Sequence, residues 1–434
     1  MKRYTVFVGV IATLVLSLAC STAAPDGPRW GRFGISGIIP DTSYLDELQL
    51  DVATSGFWIG TSESFFGGPK EELHTRQFRG FVEKGLTPIA TFYLGNVGED
   101  AAHWAEEIVR YYSCGQGADD VGAPILYWEL GDEQNGTWGT ACDPREYARR
   151  VAVIAPAIRQ GCPDCSIVMG GLLDGPEMGD WALAPYLRSF LAAGGGEWID
   201  VYAFHYFGLA KPHPATPQAQ LYDSAEPIVA DMRALLAAYG KGQSPIWVTE
   251  TCTFSGKMGL VEQSESDQAA DLVKRYVLLW SLGVDVVQWC YLTEPQYEGT
   301  GVGFFDQSGL IYDGEGPYDG GAGVKKRAYD AYLQMTQLLR GADLIERQTE
   351  FGMTSVQFEA TIGPLTVLWQ DRWIDERAIW VQAADEVEII GLCGESFGSR
   401  TGWFRLDLGL EPIYVAGEVV AVSRNAPVIQ ASTP

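Results

Sequence analysis

Positive charge is scarce in this chain: 30 lysines and arginines face 56 aspartates and glutamates over 434 residues, a formal net charge of −26. No basic run interrupts the acidic surface. Such a surface repels phosphate backbones, which argues against nucleic acid as a partner. Histidine is rarer still, with four residues in all, so a histidine at a strand end stands out. Beyond the N-terminus no apolar stretch is long enough to span a bilayer. The G-x-S-x-G elbow, the H-E-x-x-H zinc motif and the phosphate-binding P-loop are all missing. The glycines of Gly299-Thr300-Gly301-Val302-Gly303 follow a strand and open no helix, so they read as a loop. No repeat or low-complexity tract appears. No metal and no organic cofactor is implied.

What is present is enough for a large core: 47% of residues are apolar and 12% aromatic, which speaks against disorder. At the N-terminus Lys2 and Arg3 precede an uncharged apolar stretch that is too short for a comfortable membrane span. It ends Leu16-Ser17-Leu18-Ala19-Cys20, which resembles a bacterial lipobox with Ser17 at a position where leucine is usual. The expectation is an exported protein, secreted or lipid-anchored to a bacterial membrane through Cys20. Ordinary signal cleavage between Ala19 and Ala24 is the alternative. Export permits disulfides. Seven cysteines remain after Cys20, so at least one stays unpaired within the chain. Cys162 and Cys165 are expected to form a loop disulfide. Cys114 and Cys142 flank a candidate strand and are a second candidate pair.

From about residue 31 to 340 short apolar or β-branched runs alternate with segments of helical period. Eight candidate strands lie at 32–39, 53–59, 88–94, 125–131, 167–173, 201–207, 246–251 and 284–292. Helices are expected at 101–112, 144–159, 181–193, 225–239, 266–282 and 326–339. The helix over 266–282 spaces Ala270, Val273, Val277 and Trp280 along one apolar face and stops at Gly283. Eight strand–helix repeats over some three hundred residues fit a (β/α)8 TIM barrel better than an open sheet. From 341 to 425 the pattern changes to short alternating runs between turns, which reads as a small all-β sandwich domain. The expected organisation is a lipoprotein-type signal segment over 1–20, a tether over 21–30, the barrel, the β-domain, and a tail over 426–434.

Catalytic groups of such barrels sit at the C-terminal ends of strands. The fourth candidate strand ends Trp128-Glu129-Leu130-Gly131-Asp132-Glu133-Gln134-Asn135. The seventh ends Ile246-Trp247-Val248-Thr249-Glu250-Thr251, the sixth Phe204-His205-Tyr206-Phe207, and the eighth Gln288-Trp289-Cys290-Tyr291. Carboxylates that follow apolar strands are costly unless solvated or used. Two carboxylates facing each other across a barrel mouth suit glycoside hydrolysis, one as proton donor and one as nucleophile. Glu129 reads as a hydrogen-bonding residue inside the barrel.

These segments resemble the clan A retaining glycoside hydrolases, nearest in style to family 39, over roughly residues 31–340. The resemblance implies Glu133 as acid/base and Glu250 as nucleophile, with Asp132, His205, Tyr206 and Trp289 at the substrate. It implies an oligosaccharide, polysaccharide or glycoconjugate substrate and no cofactor. Two positions depart from the clan's pattern. Asp132 stands where Asn is usual; an ionised Asp accepts but cannot donate a hydrogen bond. Phe207 stands where a tyrosine is usual, and Tyr206, Tyr291 and Tyr297 are candidates for the hydroxyl that steadies Glu250. Tyr206 itself points away from the mouth if its strand is regular. Trp58, Tyr93 and Glu294 also fall at strand ends, where contact with sugar and packing are both open. A non-catalytic glycan-binding surface lipoprotein on the same barrel is the alternative function. An adhesion scaffold using the β-domain is a third.

Overall fold

The computed structural model describes residues 32–37, 39, 41–59, 69–95, 97, 100–137, 141–207, 224–296, 299, 301–350, 352–370 and 378–425. The barrel strands are β1 (Phe33–Ser36), β2 (Val52–Ile59), β3 (Thr87–Leu94), β4 (Tyr127–Leu130), β5 (Ser166–Met169), β6 (Leu172–Leu173), β7 (Tyr202–His205), β8 (Ile246–Thr251) and β11 (Val286–Cys290). A short hairpin, β9 (Gly256–Met258) and β10 (Val261–Gln263), follows β8. The barrel order is β5-β4-β3-β2-β1-β11-β8-β7-β6, and the pairs are parallel. β5 and β6 are two halves of one expected strand, broken at Gly170-Gly171. The first half pairs with β4 and the second with β7, so the ring closes. A bridge between Val168 and Val201 completes the seam.

Helices α1 (Leu45–Leu48), α2 (Pro69–Glu83), α3 (Ala101–Cys114), α4 (Gln116–Val121), α5 (Pro144–Gly161), α6 (Leu183–Ala192), α7 (Ala225–Ala238), α8 (Glu265–Ser281) and α9 (Arg327–Leu339) lie between or after the strands. Local chemistry sets their starts. Asp143 accepts from the Arg145 amide ahead of Pro144, and Ser264 and Asp267 cap α8 reciprocally. The helix α8 is buried on more than the one apolar face expected, with Asp271, Lys274 and Arg275 also inside. The reason is the β-domain, which covers its outer side: Trp280 packs on Phe358 at 4.8 Å between ring centroids, and Lys274 reaches the Gln370 carbonyl at 3.4 Å.

The β-domain comprises β12 (Asp343–Glu350), β13 (Met353–Ala360), β14 (Gly363–Gln370), β15 (Ala378–Ile390), β16 (Ser396–Asp407), β17 (Ile413–Ala416) and β18 (Val419–Ser423). Antiparallel hydrogen bonding runs through all seven. The strand β15 is longer than the short runs expected here, and its register shifts between Ala383 and Val387. Val356, Phe358, Leu365, Val367 and Tyr414 join the core of the barrel, while Ile379, Val381, Ile389, Phe404 and Val415 form a smaller core within the domain.

The barrel interior changes chemistry along its axis. Val52, Ile89, Val168, Val201, Ala203, Trp247 and Val286 plug the end where the strands begin. One layer up, Thr54 donates to Gln288 and Thr91 to Glu129, each at 2.7 Å. Glu129 is thus the interior hydrogen-bonding residue expected. The layer above that is ionisable.

Cys162 and Cys165 form the expected disulfide. Cys114 and Cys142 do not pair. One precedes β4 and the other follows it, so they lie toward opposite ends of the barrel. Their thiols face the Gly161 carbonyl and the Gln134 side chain instead.

Candidate active site

Four of the six substrate and catalytic candidates meet at the C-terminal mouth. His205 ends β7 and is 1% exposed. Its Nδ1 lies 2.9 Å from Oε1 of Glu133 and 3.8 Å from Oε2 of Glu250, and its Nε2 lies 3.8 Å from Oδ1 of Asp132. Two contacts of 2.9 and 3.8 Å to one nitrogen cap the separation of the two glutamate oxygens at about 6.7 Å. The side chains of Glu250 and Asp132 remain 31% and 32% exposed, whereas Glu133 is buried against the imidazole.

Backbone irregularities aim these groups. In β8, Val248 pairs with Val287 and Thr251 with Trp289, so two residues, Thr249 and Glu250, stand against one on β11. On the other side Phe204 pairs with Val248 and His205 with Glu250, so Thr249 is the extra residue against β7. This bulge turns Glu250 to the interior beside His205, where strict alternation would turn it outward. After β4, Glu133 adopts φ 46°, a left-handed conformation rare for a residue with a Cβ. Its amide donates to the Gly171 carbonyl at 2.9 Å and its carbonyl accepts from the Gly136 amide at 2.7 Å. Asn135 locks the loop by bonding both backbone groups of Leu173 and the Trp181 carbonyl.

Electrostatics follow from three carboxylates around one buried ring. Burial pulls His205 down, but Glu250, Glu133 and Asp132 outweigh it and hold the imidazole up at about 10, so it is a cation at neutral pH. Glu250 is pushed up to about 7 by desolvation, with the His205 cation opposing and Glu133 and Glu129 adding. Asp132 lies well above the usual carboxylate range, through burial first and then the Glu250 charge. Ligand atoms of Asp132, His205 and Glu250 lie close enough together to hold a cation, within 4.8 Å. The imidazolium already supplies the positive charge, and we read the cluster as acid–base machinery. Glu294, Asp313 and Asp319 also converge, but Glu294 is paired with the buried ammonium of Lys326.

Two residues expected at the substrate face away from the mouth. Val286 and Gln288 face the barrel interior, so Trp289 faces outward; it is fully buried and its indole donates to the Ser308 carbonyl at 3.1 Å. The inward position at that level is Cys290, whose Sγ is 3.7 Å from Oε2 of Glu250. Tyr206 likewise faces outward, fully buried, with the guanidinium of Arg275 5.4 Å from its ring. Phe207 turns to the mouth and packs edge-on against His205, Phe304 and Phe305. Tyr291 packs edge-on against Phe305. Glu294 is buried in its ion pair and not free for sugar. Tyr297, the side chain of Trp58 and Cys20 lie outside the described residues.

Sequence reasoning missed Arg275. From α8 it donates to the carbonyls of Tyr206 and Phe207 at 3.0 and 3.1 Å and to the Thr251 hydroxyl at 3.2 Å, held by Asp271 at 2.6 Å. It therefore ties together the ends of β7 and β8. The signal was present as an Asp–Arg pair four residues apart on a helix whose buried positions are otherwise mostly apolar.

No protein-family model matches the chain, and a comparison with curated proteins gives no match either. Solved structures do match in fold. A family 39 glycoside hydrolase from the gut symbiont Bacteroides cellulosilyticus superposes with a TM-score of 0.68 at 18% identity, over 89% of this chain and 80% of that one. A glucosidase from Croceicoccus marinus gives 0.63 at 14%, over 92% and 98%. An α-L-arabinofuranosidase from Thermotoga maritima gives 0.58 at 12%, over 87% and 89%. The barrel followed by an antiparallel β-domain is the fold of these glycoside hydrolases.

Proposed function

We propose that the chain is a retaining glycoside hydrolase acting on an extracytoplasmic glycan. The carrying observation is that Glu133 and Glu250, from opposite sides of the barrel, meet on one nitrogen of His205. Retention requires carboxyl groups about 5–5.5 Å apart and inversion about 6.5–9.5 Å. The cap set by His205 favours the first. In this reading the ionised Glu250 attacks the anomeric carbon while Glu133 passes its proton to the departing glycosidic oxygen. Glu133 then takes a proton from water, the water oxygen attacks the same carbon, and Glu250 is released. His205 supplies fixed positive charge beside both carboxylates. The fold shared with glycosidases supports a carbohydrate substrate.

The test is a panel of β-linked and α-L-linked nitrophenyl glycosides, then polysaccharides, with wild type and Glu250→Ala. Release by wild type and loss in the variant is expected. A wild type inert on every substrate that still binds glycan would replace this reading with the non-catalytic one. Export and lipidation at Cys20 rest on the sequence pattern; a Cys20→Ala chain that still fractionates with membranes would remove the anchor.

A further inference from the structure

We propose that Cys290 positions the nucleophile, its thiol donating a hydrogen bond to the Glu250 carboxylate. The inference rests on the hydrolase reading and adds a residue to it. Among the described residues, two side-chain donors approach that carboxylate: His205 Nδ1 at 3.8 Å and Cys290 Sγ at 3.7 Å on Oε2. The His205 nitrogen is nearer to Glu133, at 2.9 Å, so its proton is engaged there. Among the described residues the thiol is therefore the donor placed to fix the rotation of the Glu250 carboxylate. Phe207, the other inward side chain nearby, has no polar atom to offer.

The thiol is held in place from several sides. Trp289 pairs with Thr251 beyond the β8 bulge, which sets Cys290 beside Cys252, the residue that follows β8, and both are buried. Cys290 is also in hydrogen-bonding contact with Cys252 and with Ser36 of β1. The next residue, Tyr291, takes φ 64° and donates its amide to the Ser36 carbonyl at 3.0 Å, so the strand end is pinned. Cys290 is 1% exposed and unpaired by disulfide. Burial raises the thiol well above its usual range, so it keeps the proton it would donate. A thiol is a weak donor, but a carboxylate acceptor strengthens the bond. Without the donor, the ionised form of Glu250 loses a partner while His205 from β7, Asp132 and Glu133 from the loop after β4, and Glu129 from β4 still face it.

The experiment compares wild type, Cys290→Ala and Cys290→Ser, each first shown to be folded by thermal melting. Expected for Cys290→Ala is a kcat lower by about tenfold with KM little changed, from loss of one charge-assisted hydrogen bond. Its acid limb should move to higher pH, since Glu250 must be ionised to attack. Cys290→Ser keeps a hydroxyl donor and should restore most of both. Equal losses in Ala and Ser with an unmoved acid limb would make Cys290 a packing residue and overturn the proposal. If no substrate is found, carbon-13 titration of the Glu250 carboxyl still decides it. An apparent pKa higher in Ala and restored in Ser supports positioning even if the hydrolase reading fails; identical titrations overturn it.

Discussion

Three carboxylates around His205 make this histidine the residue on which the site's charge balance turns. In the folded protein it titrates near about 10, against about 6.5 for a free imidazole. The folded state therefore holds a proton that the unfolded chain releases between these values. That contribution is fully present below about pH 6.5 and is lost as pH rises through about 10. Glu250 acts with the same sign at lower pH: its folded value of about 7 exceeds the usual carboxylate value, so raising pH also costs stability there. Melting temperature should fall from pH 6.5 to 9.5, and His205→Gln should flatten that slope; a variant with the wild-type slope would contradict the assignment. Asp132 gives a second residue-scale prediction. Burial and the Glu250 charge raise its pKa, so it takes up a proton at higher pH than a free aspartate and can then donate as an asparagine does. Asp132→Asn should keep kcat/KM within about threefold, whereas Asp132→Ala should lose about tenfold or more, the value of a hydrogen bond to substrate.

At the scale of elements, the strands were legible and their defects were not. Apolar runs and strand–helix alternation located all eight barrel strands, because one face of each must enter the core. The bulge at Thr249-Glu250 leaves no mark in the run Trp247-Val248-Thr249-Glu250-Thr251. It depends on how many residues β7 and β11 present opposite. Trp289 faces outward by the parity of β11, which one sequence cannot fix when both faces of a strand are buried, whereas Tyr206 faces outward as regular alternation from His205 implied. The Gly170-Gly171 break has a visible cause in hindsight. A Cβ on Gly171 would stand 2.1 Å from the His205 ring and 2.8 Å from the Thr249 hydroxyl. Gly171→Ala should therefore displace His205. We expect kcat/KM to fall by about a hundredfold and stability to drop by about 1–3 kcal/mol. Wild-type activity in that variant would show that the ring is free to move.

Over the whole molecule, the barrel and the β-domain share one apolar core. Val356, Phe358, Val367 and Tyr414 pack with barrel residues, and Arg327 on α9 reaches Glu411 at 3.1 Å. Lys274 and Arg275 sit on one helix between them, the first bonded to the β-domain and the second to the mouth. A chain ending at residue 340 should expose that apolar face and aggregate. The full chain should melt in a single calorimetric transition. Two resolved transitions, or a soluble and active barrel alone, would refute the shared core.

The sequence by itself determined the class of fold, the change of architecture near residue 340, and the four polar residues at the strand ends. Periodicity records which residues must be buried, and carboxylates after apolar strands are too costly to be accidental. Tertiary structure decided which side of each strand faced the mouth. It turned Glu250 inward through a bulge, sent Trp289 and Tyr206 into the shell, brought Cys290 to Glu250, and let Arg275 tie two strand ends from a helix. Each of these depends on residues distant in the chain being set in register, and the physical reason is that pairing across strands, unlike periodicity along one, is fixed only when the ring closes.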